Sequence, residues 1–137
     1  VWTIEFLSKV KENLNSQGYL ITYSSSAAVR KTLRNLGLEI FTIKPSFKNR
    51  TFWSQGTVAI SKFDKNNLKP NFNFEKLSLM EEEHLLTKAS IPYRDQDLNS
   101  SKDNILKRRL DEQLFSNLLS TNKWREKWGM TKLSFKS

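Results

Sequence analysis

An α/β fold is the class that the sequence predicts, and three observations lead to it. Residues 19–23 (YLITY) form an apolar run of strand length, and segments with the 3.6-residue period of a helix lie on both sides of it. Two further strand-like runs, residues 38–43 and 56–60, follow the second helix. The order helix, strand, helix, strand, strand is half of a layered α/β domain, whose parallel sheet needs more strands than these. We therefore expect residues 19–23 to be a buried, central strand.

Local signals place the ends of these two helices. Thr3 can cap the first helix, and the serines at 24–26 offer caps for a second helix over residues 27–36. Gly37 stands where the glycine that ends a helix is expected. The residues predicted to face the core are Phe6, Leu7, Val10 and Leu14 on the first helix, and Val29, Leu33 and Leu36 on the second.

The second half of the chain has a different organisation. The segment 64–76 is polar and rich in asparagine, and it is predicted to be a linker or an extended arm. After it, Ser78 and Glu81 have the spacing of a capping box at the start of a short helix. We therefore divide the chain into an α/β part (1–63), the arm, and a mainly helical C-terminal extension (77–137).

The extension contains one long helix, predicted over residues 102–120. Beyond it, Trp124 and Trp128 are four residues apart, which favours packing of one helical face on the body of the protein. The apolar stripe predicted for the long helix consists of Ile105, Leu106, Leu110, Leu114 and Leu118.

Charge is the most informative bulk property. The 137 residues include 23 Lys and Arg against 14 Asp and Glu, a net charge of +9. Such an excess favours a polyanionic partner, either nucleic acid or an anionic membrane surface. Lysine and asparagine are both abundant, so the charge could equally serve solubility alone.

Residue counts also exclude several kinds of site. The chain has no cysteine, which excludes disulfides and thiolate metal sites, and its single histidine, His84, argues against a histidine-based metal centre. His84 follows three glutamates and is expected to be a surface or partly packed residue, not a general base. No apolar run approaches the roughly 20 residues that span a bilayer, and no signal peptide opens the chain, so we expect a cytoplasmic protein. Because Val1-Trp2-Thr3 leads straight into a helix, we expect the middle of a longer protein.

A candidate site lies at the end of the first strand. Ligands of open α/β sheets bind beyond the carboxyl ends of the strands, a rule that selects Thr22, Tyr23 and Ser24. The N-terminus of the second helix at the same place would also suit an anion. The alternative is purely structural, with Tyr23 in the edge layer of the sheet and the serines acting only as helix caps.

At this point the sequence resembles a known family. Residues 19–31 (YLITYSSSAAVRK) are similar to a stretch of the tRNA 5-aminomethyl-2-thiouridine methyltransferases, meaning the MnmC methyltransferase domain and its stand-alone relatives. In that family a strand ending in Thr-Tyr-Ser leads through a Ser/Ala-rich turn into a helix with Val-Arg-Arg or Val-Arg-Lys. Further similar segments follow in the same order: Gly-Leu at 37–38, GTVA at 56–59, MEEE at 80–83 and IPYRD at 91–95.

The resemblance implies both a fold and a reaction. It implies the C-terminal half of a Rossmann-like class I methyltransferase sheet, with S-adenosylmethionine as cofactor and the aminomethyl group of the modified wobble uridine in tRNA as methyl acceptor. Tyr23 would stack on or hydrogen-bond the flipped uridine, and Ser24 or Ser25 would orient the amine or a phosphate. Tyr23 and Ser24 are our predicted catalytic residues. The family's Gly-rich cofactor-binding half and an Asp-Ala-Phe-Ser-Pro-like motif would precede Trp2, so the chain is expected to be inactive alone. No cofactor-binding residue is assigned within it.

The tRNA anticodon region is the partner that this resemblance implies. Basic residues beside aromatic rings suit its single-stranded loop, because phosphates meet cations and unstacked bases meet rings. We predict RNA contacts at Arg30 on the second helix, and at Lys48, Arg50 and Trp53 in the loop after the second strand. No metal and no membrane partner is expected. Two alternatives remain open: a non-catalytic basic RNA-binding module derived from a methyltransferase fold, and a protein-interaction domain with incidental charge.

Overall fold

The computed structural model describes residues 2–14, 18–44, 54, 56–61, 74–96 and 98–130. Helices and strands alternate in the first part of the chain, and helices predominate after the fourth strand. In chain order the elements are α1 (Ile4–Glu12), β1 (Tyr19–Thr22), α2 (Ala27–Asn35), β2 (Leu38–Ile43), β3 (Gly56–Ser61), β4 (Phe74–Lys76), α3 (Leu79–His84), a 3-10 turn (Lys88–Ser90), α4 (Lys102–Phe115) and α5 (Thr121–Lys127).

The four strands form one sheet in the order β1-β3-β2-β4, and all neighbours in it are antiparallel. Because β3 runs in the opposite direction between β1 and β2, those two strands are parallel to each other, and α2 connects them. The predicted α/β class and the order of its first five elements are confirmed. The sequence analysis expected a parallel sheet, but β3 lies antiparallel between β1 and β2. Antiparallel neighbours need no crossover helix between them.

Strand β1 lies at the edge of this sheet. It pairs with β3, from Tyr19 opposite Ile60 to Thr22 opposite Thr57, and no second described strand adjoins it. As a result Tyr19 and Ile21 are each nearly half exposed. The expectation of a central strand is therefore wrong for the described residues, because an apolar run does not reveal how many neighbours the strand has.

The hydrophobic core lies between the sheet and α2, with α1 beside α2. Leu20, Ala59 and Ile40 face each other in register across β1, β3 and β2. Leu7 of α1 and Leu33 of α2 pack against them and are almost fully buried. The cluster is completed by Ala27, Val29, Leu38, Leu77 and Leu85.

Both N-terminal helices begin where the capping signals predicted. Thr3 Oγ1 accepts a hydrogen bond from Phe6 N at 3.1 Å, and the Ser26 side chain caps α2. Gly37 follows α2 with φ +94°, a left-handed conformation that glycine adopts without a Cβ clash. The local sequence was sufficient here because caps depend on residues only a few positions apart.

The predicted core face of α1 is only partly correct. Leu7 is buried and Leu14 packs against the core, as expected, whereas Phe6 is 46% exposed and its ring centre lies 6.2 Å from that of Trp2. Helical periodicity alone predicted that Phe6 faces the core, whereas its side chain lies at the surface.

The C-terminal extension shares the core of the α/β part. Leu77 and Leu85 belong to the same buried cluster as the sheet residues. Strand β4 pairs with β2, and the ring of Phe74 meets that of Phe41 edge-on at 5.1 Å. The predicted arm 64–76 is therefore corrected at its end, where three residues form β4; residues 62–73 lie outside the described part of the chain. A three-residue strand is too short to show a period.

The prediction was less accurate for α4 than for α5. Helix α4 ends at Phe115, earlier than the predicted 120, and Ile105 is the one residue of its apolar stripe that is buried. In α5 the predicted packing is confirmed, since Trp124 is buried and its Nε1 donates to Met80 O at 2.9 Å. Trp128 donates to a carboxylate of α3. None of the described helices combines the length and hydrophobicity that crossing a bilayer requires.

His84 is buried, against the expectation of a surface or partly packed side chain. Its ring stacks on that of Trp124, with centroids 4.1 Å apart and planes at 12°. Burial, reinforced by the positive charges of Arg30 and Arg125, lowers the pKa of His84 from 6.5 to about 4. The imidazole is therefore neutral in the folded protein at neutral pH. The sequence did not reveal this because α5 lies some forty positions away from His84 along the chain.

We expect this histidine to make stability depend on pH. Between the folded pKa near 4 and the unfolded value of 6.5, the unfolded chain binds more protons, so stability falls as the pH drops through that window. The loss between about pH 7 and about pH 5 should be about 2 kcal/mol, measured by urea unfolding. A His84→Phe variant keeps a ring on Trp124 but cannot titrate. If it loses as much stability as the unsubstituted chain, His84 is not the responsible group.

Candidate functional site at the end of strand β1

The turn after β1, residues 22–26, combines a fixed backbone with one almost fully exposed ring. We call it the strand-end turn. Thr22 is buried, and its Oγ1 accepts a hydrogen bond from Ser24 N at 3.1 Å; Ser24 Oγ in turn accepts from Ser26 N at 3.2 Å. Between them, Tyr23 is 94% exposed. The consecutive turn bonds hold the backbone, so the position of the Tyr23 ring varies mainly through its own side-chain torsions.

Strand β3 supports the same turn from one side. Thr57 Oγ1 donates to Ser24 O at 2.7 Å, across 33 positions of sequence. The backbone of Gly56 passes so close that a Cβ there would overlap Thr22 O and press on Tyr23 Cα. A glycine is therefore required at position 56, and the turn is bound to the sheet as well as to its own helix.

A fully buried arginine lies behind this support. Arg30, on the first turns of α2, donates from Nε to Thr57 Oγ1 at 2.8 Å, from Nη2 to Gly56 O at 2.9 Å and to Ser54 Oγ at 3.0 Å. Its Nη1 forms an ion pair with Glu81 at 2.7 Å. Burial lowers the pKa of Arg30 and Glu81 opposes that shift, and a guanidinium stays charged in proteins in any case.

Glu81 connects this cluster to the C-terminal extension. Its carboxylate accepts from the backbone and the hydroxyl of Ser78, which completes the predicted capping box, and the same carboxylate pairs with Arg30. Sequence reasoning assigned Glu81 only to the capping box of its own helix and missed the ion pair. One signal was present: Arg30 stands three positions before the buried Leu33, on the apolar face of α2.

The structure separates the predicted site residues into three groups. Tyr23 and the half-buried Ser24 lie together at the strand end, where they were expected. Arg30 is fully buried, so the prediction that it contacts RNA is corrected: it is a structural cation that cannot reach a ligand. Lys48, Arg50 and Trp53 lie outside the described residues.

The structure also joins two segments that the sequence left apart. Ile4 N donates to Tyr93 O at 2.8 Å, which attaches the 91–95 segment to the start of α1. Glu5 accepts from Asp95 N at 2.8 Å in the same place. These hydrogen bonds therefore hold the first turn of α1 and the IPYRD segment together.

The chain is similar to known proteins both in sequence and in structure. Residues 1–59 match a family of S-adenosyl-L-methionine-dependent methyltransferases. The structure is similar to the crystal structure of MnmC2 from Aquifex aeolicus, with a TM-score of 0.68 and 31% sequence identity over 82% of this chain.

The chain is therefore similar to MnmC2. The resemblance predicted from the residues around the strand-end turn is confirmed, and S-adenosylmethionine is the cofactor expected for the matching family. An uncharacterised protein of Methanocaldococcus jannaschii is 28% identical over 127 residues, or 90% of this chain. The chain spans about a third of the length of each of these two proteins, 33% in both cases.

We expect the buried ion pair to matter far more for stability than its neighbour on the surface. Glu81→Gln leaves the charge of Arg30 buried without a counterion, which should reduce the free energy of unfolding by about 3–5 kcal/mol. Glu82 pairs with Arg34 at 2.8 Å, but both side chains are more than a third exposed. The matched control Glu82→Gln should therefore lose less than about 1 kcal/mol.

Urea unfolding of both variants measures the difference. A double variant, Arg30→Met with Glu81→Gln, should lose less than the sum of the two single changes, because neither partner is then left charged and alone. Equal losses for Glu81→Gln and Glu82→Gln would show that the buried pair is not the main link between α2 and the extension.

Proposed function

We propose that this chain is part of an S-adenosylmethionine-dependent tRNA methyltransferase that methylates the aminomethyl group of the modified wobble uridine. The observation that carries the proposal is the exposed Tyr23 ring on a turn fixed by hydrogen bonds at the carboxyl end of β1. This turn lies within the residues that match the methyltransferase family. It is also the place where ligands of α/β sheets bind.

The reaction requires a neutral amine aligned with an electrophilic methyl group, which S-adenosylmethionine supplies when it is bound. Tyr23 would stack on the extruded uracil ring and so set the direction of its aminomethyl arm. Ser24 Oγ accepts from Ser26 N, and we propose that its hydroxyl proton is donated to the acceptor nucleotide. The turn thus acts on the acceptor side of the transfer.

The same turn fits the adenosyl group of the cofactor poorly. A ribose diol is commonly held by a carboxylate, and residues 22–27 contain none. The carboxylate of nearby Glu81 already forms an ion pair with Arg30. We therefore propose that the cofactor and the carboxylate that would assist deprotonation are held by parts of the protein outside this chain, in accord with the chain spanning a third of its relatives.

The net charge of +9 supports a polyanionic partner, and we propose the anticodon region of tRNA, with Lys48, Arg50 and Trp53 as contacts. This substrate implies a cytoplasmic location. The second candidate is a non-catalytic RNA-binding module, and the same charge supports it. An electrophoretic shift with tRNA that weakens steeply with salt is expected for both functions, so it separates them only from an interaction domain with incidental charge.

We predict that the 137-residue chain alone neither binds S-adenosylmethionine nor transfers a methyl group. The reason is that the strand-end turn forms only the acceptor side of the site. Isothermal calorimetry with S-adenosylmethionine should show no heat of binding above dilution. Saturable binding of the cofactor by this chain would contradict the prediction and move the cofactor site into it.

In the protein that carries this chain, we predict that Tyr23→Ala lowers the methylation rate by about 10²-fold while changing tRNA affinity much less, since misalignment of reactants affects mainly the chemical step. Tyr19→Ala is the matched control, because Tyr19 is a partly exposed tyrosine at the opposite end of the same strand. It should leave the rate within a few-fold.

Single-turnover kinetics and filter binding with the same tRNA separate the two effects. A Tyr23→Ala variant that loses affinity but keeps its single-turnover rate would remove Tyr23 from the alignment of the amine. Absence of any methyl transfer by the unsubstituted protein, together with tight tRNA binding, would favour the non-catalytic module.

A further inference from the structure

Three buried threonines stand side by side in the sheet, at the end that carries the strand-end turn. Thr22, Thr57 and Thr42 are register partners across β1, β3 and β2. Thr22 Oγ1 accepts a hydrogen bond from Ser24 N at 3.1 Å, and Thr57 Oγ1 donates to Ser24 O at 2.7 Å. Both polar backbone groups of Ser24 are therefore bound by threonine side chains of the sheet.

These two hydrogen bonds fix the backbone from which the Tyr23 side chain projects. The peptide group between Tyr23 and Ser24 is planar, so a bound Ser24 N–H also fixes the carbonyl of Tyr23. The bond to Ser24 O fixes the next peptide group in the same way. A displacement of Ser24 would therefore displace the ring of Tyr23 as well.

The hydrogen bond that Thr57 makes to the turn has only one possible direction. A threonine hydroxyl carries a single proton, and a charged guanidinium can donate but cannot accept. Because Arg30 Nε donates to Thr57 Oγ1 at 2.8 Å, the proton of Thr57 is left for the carbonyl of Ser24. A hydroxyl that accepts from a cation is polarised and becomes a stronger donor. The buried guanidinium thus determines which group Thr57 binds and strengthens that bond.

Thr42 has a similar environment but does not support the turn. Its Oγ1 accepts from Arg30 Nη2 at 3.4 Å, so it also meets the guanidinium. It lies on β2, one strand further from β1, and within the described residues it makes no hydrogen bond to the strand-end turn. The pair Thr57 and Thr42 therefore separates contact with the guanidinium from contact with the turn.

We propose that Thr57 is a positioning residue for the methyl transfer and that Arg30 acts through it. The proposal rests on the proposed function, in which the Tyr23 ring aligns the acceptor nucleotide. Thr57 is fully buried and cannot reach a substrate, so it acts by holding Ser24, and with it the Tyr23 backbone, in one position. Its effect belongs to the chemical step, because small misplacements of bound reactants slow that step more than they weaken binding.

Two variants of Thr57, made in the protein that carries this chain, test the proposal. Thr57→Val keeps the shape of the side chain without its hydroxyl, whereas Thr57→Ser keeps the hydroxyl. We expect Thr57→Val to lower the single-turnover methylation rate about tenfold and to change tRNA affinity less than about twofold. Thr57→Ser should keep the rate within a few-fold of the unsubstituted protein. The matched control, Thr42→Val, loses a hydroxyl beside the same guanidinium and should also stay within a few-fold.

Hydrogen exchange with mass spectrometry on the same variants measures the turn without relying on activity. The amides of Ser24 and Ser26 are hydrogen-bonded within the turn, so peptides that cover residues 22–26 should exchange about tenfold faster in Thr57→Val. Thr57→Ser and Thr42→Val should leave this exchange unchanged. Peptides from α4 report on the rest of the fold and should exchange as before in every variant.

A second variant covers the case in which Thr57→Val does not fold. Thr57→Cys introduces a side chain no larger than threonine, whose thiol is only a weak donor. The same slower methylation and the same faster exchange of the turn are expected for it.

The outcomes separate the positioning role from the proposed function. If Tyr23→Ala slows methylation but Thr57→Val does not, the positioning role is wrong and the proposed function stands. Equal losses of rate in Thr57→Val, Thr57→Ser and Thr42→Val, with faster exchange in α4, would show a general loss of structure and also overturn the role. An unchanged rate in both Tyr23→Ala and Thr57→Val would remove the whole turn from the reaction, and both proposals would fail.

Discussion

The ion pair between Arg30 and Glu81 is the interaction on which the arrangement of this chain depends. Removing a guanidinium and a carboxylate from water costs several kcal/mol per ion, and it is tolerated only where the remaining donors find acceptors. Here Thr57, Gly56 and Ser54 supply them, each within hydrogen-bond distance of the guanidinium. The pair therefore requires α2, β3 and α3 to be in place together.

This dependence explains why the C-terminal extension is part of the fold and not an appendage. Glu81 lies on α3, 51 positions after Arg30, and the same carboxylate caps its own helix through Ser78. Separating α3 from the sheet would leave a buried charge without its counterion. Leu77 and Leu85, which stand four positions before and after Glu81 in the sequence, add apolar contacts to the core. The extension thus contributes both charge and hydrophobic surface to the support of the strand-end turn.

The strand-end turn receives its rigidity from this support and leaves one side chain outside it. Thr57 Oγ1 accepts from Arg30 and donates to Ser24 O, so a single hydroxyl joins the buried pair to the turn. The backbone of Tyr23 belongs to this fixed turn, whereas its side chain is exposed to solvent. An exposed ring on a fixed backbone loses little further backbone entropy when it binds a ligand, which suits the role that we propose for Tyr23. Among the described strands β1 has a neighbour on one side only, and the half-exposed Tyr19 lies on this strand.

The amino-acid sequence by itself determined the features that depend on neighbours in the chain. The caps at Thr3 and Ser26, the capping box at Ser78 and the element order through β3 follow from local spacing, and the family resemblance follows from residues 19–31. Tertiary structure alone decided which of these residues are accessible. Arg30 carries the same charge as a surface cation in the sequence, yet it became structural because Glu81 and two strands meet it from distant positions. The edge position of β1, the burial of His84 under Trp124 and the outward leucines of α4 have the same cause, since burial is set by contacts between distant segments and periodicity describes only one segment at a time.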